Sequence, residues 1–300
     1  MAKWDEEYLK LCRTILDSGI RVHNRTGIDT VKLPAWSFSF DLGEEFPILT
    51  TKQLFIRQAV LEMLWIYQVQ SNDVRWLRER NVNIWNEWEI DENGFWIAEQ
   101  MLPDENGELK KSVVKKEFGK EWAHTIGTAY GWIVKKFGLT QSLIDTIKNN
   151  PEDRRMIMSL WQNDYLKTAV LPSCVWSSEW DVTNGKLNAL VHQRSCDVPL
   201  GLPFNITQYA ALLCMLAQVC SLKPGTLNWS IKDAHIYVNQ IEPVKEQLRR
   251  FDENGSLPAP KLWLNPEIDD FFKFDNSKDL LDVKLIGYEH MGKLNFPIAT

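Results

Sequence analysis

Arg194-Ser-Cys-Asp-Val-Pro-Leu-Gly-Leu-Pro-Phe-Asn205 is the stretch on which the reading of this chain turns. It places an arginine, a serine and an aspartate at the end of a predicted strand, 187–194. A Gly-Leu-Pro turn follows, and Asn205 then opens an apolar helix, 205–220. Charged, hydroxyl and amide groups converge where a strand stops and a helix begins, a junction suited to gripping a small polar ligand. Along the strand Leu187, Ala189 and Val191 share one face, and Asn188, His192 and Arg194 share the other.

Outward from this junction the pattern alternates between long helices and strands. Asn184-Gly185 is a hairpin turn that joins strand 170–182 to strand 187–194, and 156–161 is a further strand. Residues 4–19 have helical spacing, with Gly19 as a stop, and 31–40 reads as one strand ending in aromatics. Thr50-Thr51 is placed to cap a helix over 53–70, whose Ile56, Val60, Met63, Leu64 and Tyr67 form one face around Glu62. Several of the fourteen tryptophans fall in the first third, where large aromatic surfaces are expected to line a site. Residues 90–123, rich in Glu, Lys and Asn, read as a surface excursion holding a small helix. Helix 139–149, strand 227–237 and an amphipathic helix 239–250 complete the pattern, without an internal repeat. Long strands joined by long helices without regular βαβ alternation predict an α+β fold around a central mixed β-sheet, with 1–300 as one domain.

Composition narrows the function. A net charge of −6 argues against a general nucleic-acid binder, so the basic residues that matter should be local and hold a small anion. Five cysteines in no paired spacing fit a reducing compartment. The start, MAKWDEEYLKL, carries acids and no apolar h-region, so no secretion signal is read. The longest apolar stretch, 209–220, falls short of the ~20 residues a bilayer requires. A soluble, cytoplasmic protein is expected.

Cys12, Cys214 and Cys220 lie in predicted apolar helices and read as inert small hydrophobes. Cys174 differs, because Pro172-Ser173 turns the chain before it and a strand follows. A thiol needs nearby cations to become a useful thiolate at neutral pH, and Arg25, Arg154, Arg155 and Arg194 are the candidates. In a regular strand Arg154 and Arg155 would point opposite ways, so a shared anion would require a bend.

Nine blocks in order make the chain similar to thymidylate synthases. They are Asn24-Arg-Thr-Gly, Pro47-Ile-Leu-Thr-Thr-Lys52, Glu62-Met-Leu-Trp65, Ile84-Trp-Asn-Glu-Trp88, Ala129-Tyr-Gly131, Asp153-Arg-Arg155, Pro172-Ser-Cys174, Gln193 to Asn205, and Asp233-Ala-His-Ile-Tyr237. Only 90–123 lies outside the match. The resemblance implies a homodimer that packs sheet against sheet, and reductive methylation of dUMP by 5,10-methylenetetrahydrofolate, with no metal. It implies that Cys174 adds to C6 of the base, with Glu62 and Tyr130 serving proton transfer. Arg25, Arg194 and Ser195 would hold the phosphate, joined by Arg154 and Arg155 of the partner subunit. Asn205 would read the base, and His235 and Tyr237 would bond the ribose hydroxyl. Asp197 would face both nucleotide and pterin. Ile84, Trp85, Gly201, Phe204 and Ala299 would line the folate, with Lys52 near its glutamyl tail. No specific nucleic acid and no membrane enter this scheme.

Against the family pattern, Val175 stands where many members carry histidine, Asn86 replaces a common aspartate, Gln53 a basic residue, and Thr300 a terminal aliphatic. A dUMP hydroxymethylase on the same scaffold is the nearest alternative. Asn205 argues against a cytidylate version, and Trp85 with the apolar tail argues against water access. A non-catalytic nucleotide- or RNA-binding protein is the rival from another class, and the set Cys174, Glu62 and Tyr130 speaks against it.

Overall fold

The computed structural model describes residues 2–24, 26–103 and 109–298. The chain opens with α1 (Lys3–Ser18), which buries Trp4, Tyr8, Leu9, Cys12 and Ile15. The strand read over 31–40 is two strands. After β1 (Ile20–Val22) come β2 (Thr30–Leu33) and β3 (Trp36–Asp41), divided at Pro34, which cannot donate to a ladder. The two halves belong to different sheets. Thr50 and Thr51 do not cap the next helix. Their hydroxyls and backbone N–H groups bind the buried Asp5 carboxylate instead, and α2 (Ile56–Tyr67) starts beyond them.

After the short α3 (Val74–Arg78), the excursion 90–123 turns out to be a long antiparallel hairpin, β4 (Phe95–Pro103) and β5 (Leu109–Glu117), with a single 3-10 turn at Lys120–Trp122 in place of the expected helix. Its tip, 104–108, lies outside the described residues. Next come α4 (Gly131–Phe137), α5 (Leu139–Asn149) and β6 (Ile157–Ser159). The hairpin β7 (Val175–Thr183) and β8 (Lys186–Gln193) turns through Asn184 and Gly185, both at positive φ, as a type I′ turn requires.

The expected central mixed sheet is present. With β10 (Lys223–Ile231) it runs β3-β10-β8-β7-β6, and only β10 and β8 are parallel. A second sheet, β1-β2-β11-β9, uses β9 (Cys196–Asp197) and β11 (Ala234–Tyr237). Arg194 and Ser195 are thus the passage from one sheet to the other, since β8 stops at Gln193 and β9 begins at Cys196.

The helix that follows, α6 (Gly201–Val219), starts a turn earlier than its apolar run implies. Pro203 is tolerated there because the N–H it lacks would have no partner in a first turn. Asn205 therefore sits within the helix rather than opening it. By length and apolarity α6 would pass for a membrane span, but 78% of its apolar window is buried inside the protein. It lies between the central sheet and α2, and each fully buried leucine on it contributes about 2 kcal/mol. The chain ends with α7 (Ile241–Asn254) and a small two-stranded sheet of β12 (Lys261–Leu264) and β13 (Val283–Ile286).

Candidate active site

Cys174 is the last residue before β7 and is half-buried. Tyr130 holds it from below, its phenol oxygen accepting the Cys174 N–H at 3.0 Å. Tyr130 itself has φ 47° and ψ −111°, a strained conformation for a side-chain-bearing residue. The next residue, Gly131, approaches the Ser71 backbone so closely that a Cβ would lie 2.0 Å from its carbonyl oxygen. The start of α4 is thereby pinned against the end of α2, and the phenol is aimed at Cys174.

Arg194 completes the near environment of the thiol. Its guanidinium donates to the carbonyls of Ser173 at 3.0 Å and Pro172 at 2.7 Å, and Nη2 lies 3.9 Å from Cys174 Sγ. A cation at that distance favours thiolate over thiol. At the other cysteines desolvation is the dominant influence, even where Lys52 opposes it at Cys12 and Lys148 at Cys220. Burial pushes the Cys12 and Cys214 thiols up to about 12, and raises Cys196 and Cys220 as well. Cys12 and Cys214 lie in helices as expected, Cys220 caps the end of α6, and Cys174 precedes a strand.

Glu62 projects from α2 and is 9% exposed. Desolvation pushes its carboxyl up to about 7, against the opposing effect of donors from Trp85 and Gln208. Trp85 Nε1 donates to Oε1 at 2.7 Å, and Gln208 Nε2 donates to Oε2. The Trp85 ring meets Tyr130 edge-on at 5.2 Å and Trp88 at 5.5 Å, so the aromatic wall expected from the first third of the chain stands beside the carboxyl. Ile84 is half-buried next to it.

Asn205 faces the same cluster from α6. Its Oδ1 accepts from Gln193 Nε2 at 3.1 Å, and its Nδ2 donates to Gln208 Oε1 at 3.3 Å. Gln193 in turn accepts the Trp229 indole N–H at 3.0 Å. Gln193 and Gln208 were missed as contributors in the sequence. The available signal was Gln208 three residues beyond Asn205 in an otherwise apolar helix, which sets both on one face.

A second group lines the smaller sheet. His235 on β11 is 7% exposed and its Nδ1 pairs with Asp233 at 2.9 Å, while its ring packs edge-on against Tyr237 at 5.1 Å. Asp197, beside His235 in the parallel β9–β11 pair, has its carboxyl pushed up by burial. It accepts from the Leu200 N–H and from Gln240, which also binds the Pro297 carbonyl. Lys52 is turned inward. It donates to the Pro199 carbonyl, lies 4.3 Å from the Phe296 ring centroid, and burial lowers its ammonium to about 8. Ser195, Gly201 and Phe204 are half-buried around the sheet-to-sheet passage.

Arg154 and Arg155 stand apart from this cluster. They occupy an exposed turn before β6, which supplies the bend that a regular strand would deny them, and Arg155 pairs with Asp153 at 2.9 Å. Arg25, Ala299 and Thr300 lie outside the described residues.

Comparisons with known proteins span nearly the whole chain. The family model described as Thymidylate synthase matches residues 6–300. The thymidylate synthase of Clostridium beijerinckii is 44% identical over 300 residues, covering 100% of both chains. The thermostable thymidylate synthase A from Bacillus subtilis superposes with a TM-score of 0.81 at 34% identity, over 99% of each chain.

Proposed function

The chain belongs to the thymidylate synthase family, and from that premise we infer that Cys174 is the nucleophile of its reaction. The enzyme is a methyltransferase that converts dUMP to dTMP. Its co-substrate, 5,10-methylenetetrahydrofolate, supplies the carbon and the hydride and leaves as dihydrofolate. The observation that carries the residue assignment is the placement of Cys174 Sγ 3.9 Å from a guanidinium and its backbone bond to Tyr130, whose ring packs on the Trp85 that donates to the desolvated Glu62.

Carbon 5 of uracil becomes nucleophilic only when a thiolate has added at C6 and charge has moved toward O4. Cys174 supplies the thiolate, and Arg194 favours its charged form. Asn205 reads the base, its amide oxygen accepting from N3–H and its NH₂ donating to O4 as charge develops there. Glu62, with a carboxyl poised near neutrality, and Tyr130 relay protons around C4 and C5. Arg194 and Ser195 hold the phosphate with Arg25, and His235 and Tyr237 bond the ribose hydroxyl. Ile84, Trp85, Gly201, Phe204 and Ala299 form the folate wall, Asp197 faces both substrates, and Lys52 serves the glutamyl tail once its ammonium leaves the Pro199 carbonyl. The apolar face of Trp85 beside Tyr130 suits a flat pterin.

The same reading includes a homodimer. Trp176, Leu190, His192 and Asn228 are left half-buried on the face of the central sheet away from α6. That face suits a second sheet, and the exposed Arg154 and Arg155 beside edge strand β6 would complete the partner's phosphate site. Residues 1–300 act as one catalytic unit with the β4–β5 hairpin as an elaboration. Five free cysteines fit a cytoplasmic location. Following dihydrofolate by absorbance while identifying the nucleotide product by mass spectrometry tests the reaction. Methylated product formed together with dihydrofolate is expected, and hydroxymethylated product without dihydrofolate would overturn the reading.

A further inference from the structure

The hydrogen bonds around Asn205 form one chain with a fixed direction. The Trp229 indole N–H can only donate, so Gln193 must turn its oxygen toward it and its NH₂ toward Asn205. At the other end Glu62 in its ionised form only accepts, so above pH 7 Gln208 must turn its NH₂ toward Glu62 and its oxygen toward Asn205. Asn205 is held between the two. Its oxygen faces a donor on one side and its nitrogen an acceptor on the other.

We propose that Gln208 is a positioning residue for base selection, and that together with Trp229 and Gln193 it locks the Asn205 amide in the orientation that accepts uracil and rejects cytosine. This rests on Asn205 reading the base. One lone pair of Oδ1 and one hydrogen of Nδ2 are engaged by the two glutamines. The second lone pair and second hydrogen have the pattern that complements N3–H and O4 of uracil. Cytosine, with an acceptor at N3 and a donor at C4, demands the flipped amide. A flip would set the Asn205 NH₂ against Gln193 Nε2 and its oxygen against Gln208 Oε1, two repulsive contacts in place of two hydrogen bonds. Gln193 and Gln208 cannot flip in compensation, because Trp229 and the ionised Glu62 hold them from behind. The selectivity of a group at the substrate is thus set by an indole and a carboxyl at the two ends of the relay.

The test compares dissociation constants of dUMP and dCMP, by calorimetry on the intact protein at a pH above the Glu62 titration, for wild type, Gln208→Met, Trp229→Phe, the double variant and Asn205→Ala. Methionine keeps the volume of glutamine and makes no such hydrogen bond. Each single variant is expected to lower the dCMP-to-dUMP ratio of constants by about tenfold, and the double variant by more, since one hydrogen bond holding the amide is lost at each end. A merely structural role would weaken both nucleotides together and leave the ratio alone. An unchanged ratio in either folded single variant, with the ratio lost in Asn205→Ala, overturns the relay. An unchanged ratio in Asn205→Ala overturns the assignment of base reading to Asn205. Should Gln208→Met not fold, Trp229→Phe reads the same lock from its far end.

Discussion

Replacing Glu62 by glutamine takes a titrating group out of the centre of the site and preserves its shape. Burial raises this carboxyl from 4.5 to about 7, because the charged form gives up water and recovers only the two donors from Trp85 and Gln208. The unfolded chain releases the proton near 4.5, whereas the folded protein keeps it to about 7. Between these values the folded state binds more protons, so its stability falls as pH rises. The gap corresponds to about 3 kcal/mol once the pH is above both values. Glu62→Gln has no proton to lose and should be free of that decline. The amide nitrogen faces one donor that the carboxyl accepted, which adds a constant offset, so the readout is the slope with pH and not the absolute difference. Urea unfolding of both proteins at matched concentration, from below pH 4.5 to above pH 7, should show the variant gaining about 3 kcal/mol relative to wild type. A difference that stays constant across the window would refute the claim that Glu62 is desolvated in the fold. Turnover by the variant should fall ~10²- to 10⁴-fold through loss of the proton relay.

Cys174→Ala should lose turnover by roughly 10⁴-fold or more while still binding dUMP, since the phosphate is held by other groups; steady-state rates and calorimetry check both halves. Mixing an inactive Cys174→Ala subunit with an inactive Arg154→Ala/Arg155→Ala subunit should restore activity, because one hybrid site then has all its parts. No recovery despite demonstrated subunit exchange, or a monomer by sedimentation, would refute partner-supplied arginines. Asn205→Asp should admit deoxycytidylate, its protonated carboxyl donating to N3 and accepting from the amino group. A site built to pair with one pattern rejects the other by up to ~10⁴-fold, so the ratio of kcat/KM values should shift strongly.

The sequence carried most of the fold and the family, and the failures have physical causes. Helix 139–149 and the Asn184-Gly185 hairpin appear as read, because periodicity and a type I′ turn are local signals. The start of α6 was placed late, since Gly201-Leu-Pro reads as a turn although a proline suits a first helical turn. Thr50 and Thr51 resembled a helix cap, and their actual partner, Asp5, lies 45 residues away for Thr50, beyond any local pattern. The small helix expected in 90–123 gave way to a hairpin whose exposed, lysine-rich second strand carries no strong apolar alternation. Cys174, Glu62 and Asn205 were legible by motif. The glutamines that tie Asn205 to Glu62 were not, because a polar residue in a buried helix declares itself only when its partner is known.

Incubating the protein with 5-fluorodeoxyuridylate and 5,10-methylenetetrahydrofolate, then mapping peptides by mass spectrometry, probes the central claim most directly. Fluorine at C5 cannot leave as a proton does, so a thiolate that adds at C6 is trapped with both substrates attached. The ternary adduct is expected on the peptide containing Cys174, and absent from Cys174→Ala. An adduct on Cys12, Cys196, Cys214 or Cys220, or none at all while dTMP is being formed from dUMP, would contradict the assignment of Cys174 as the nucleophile.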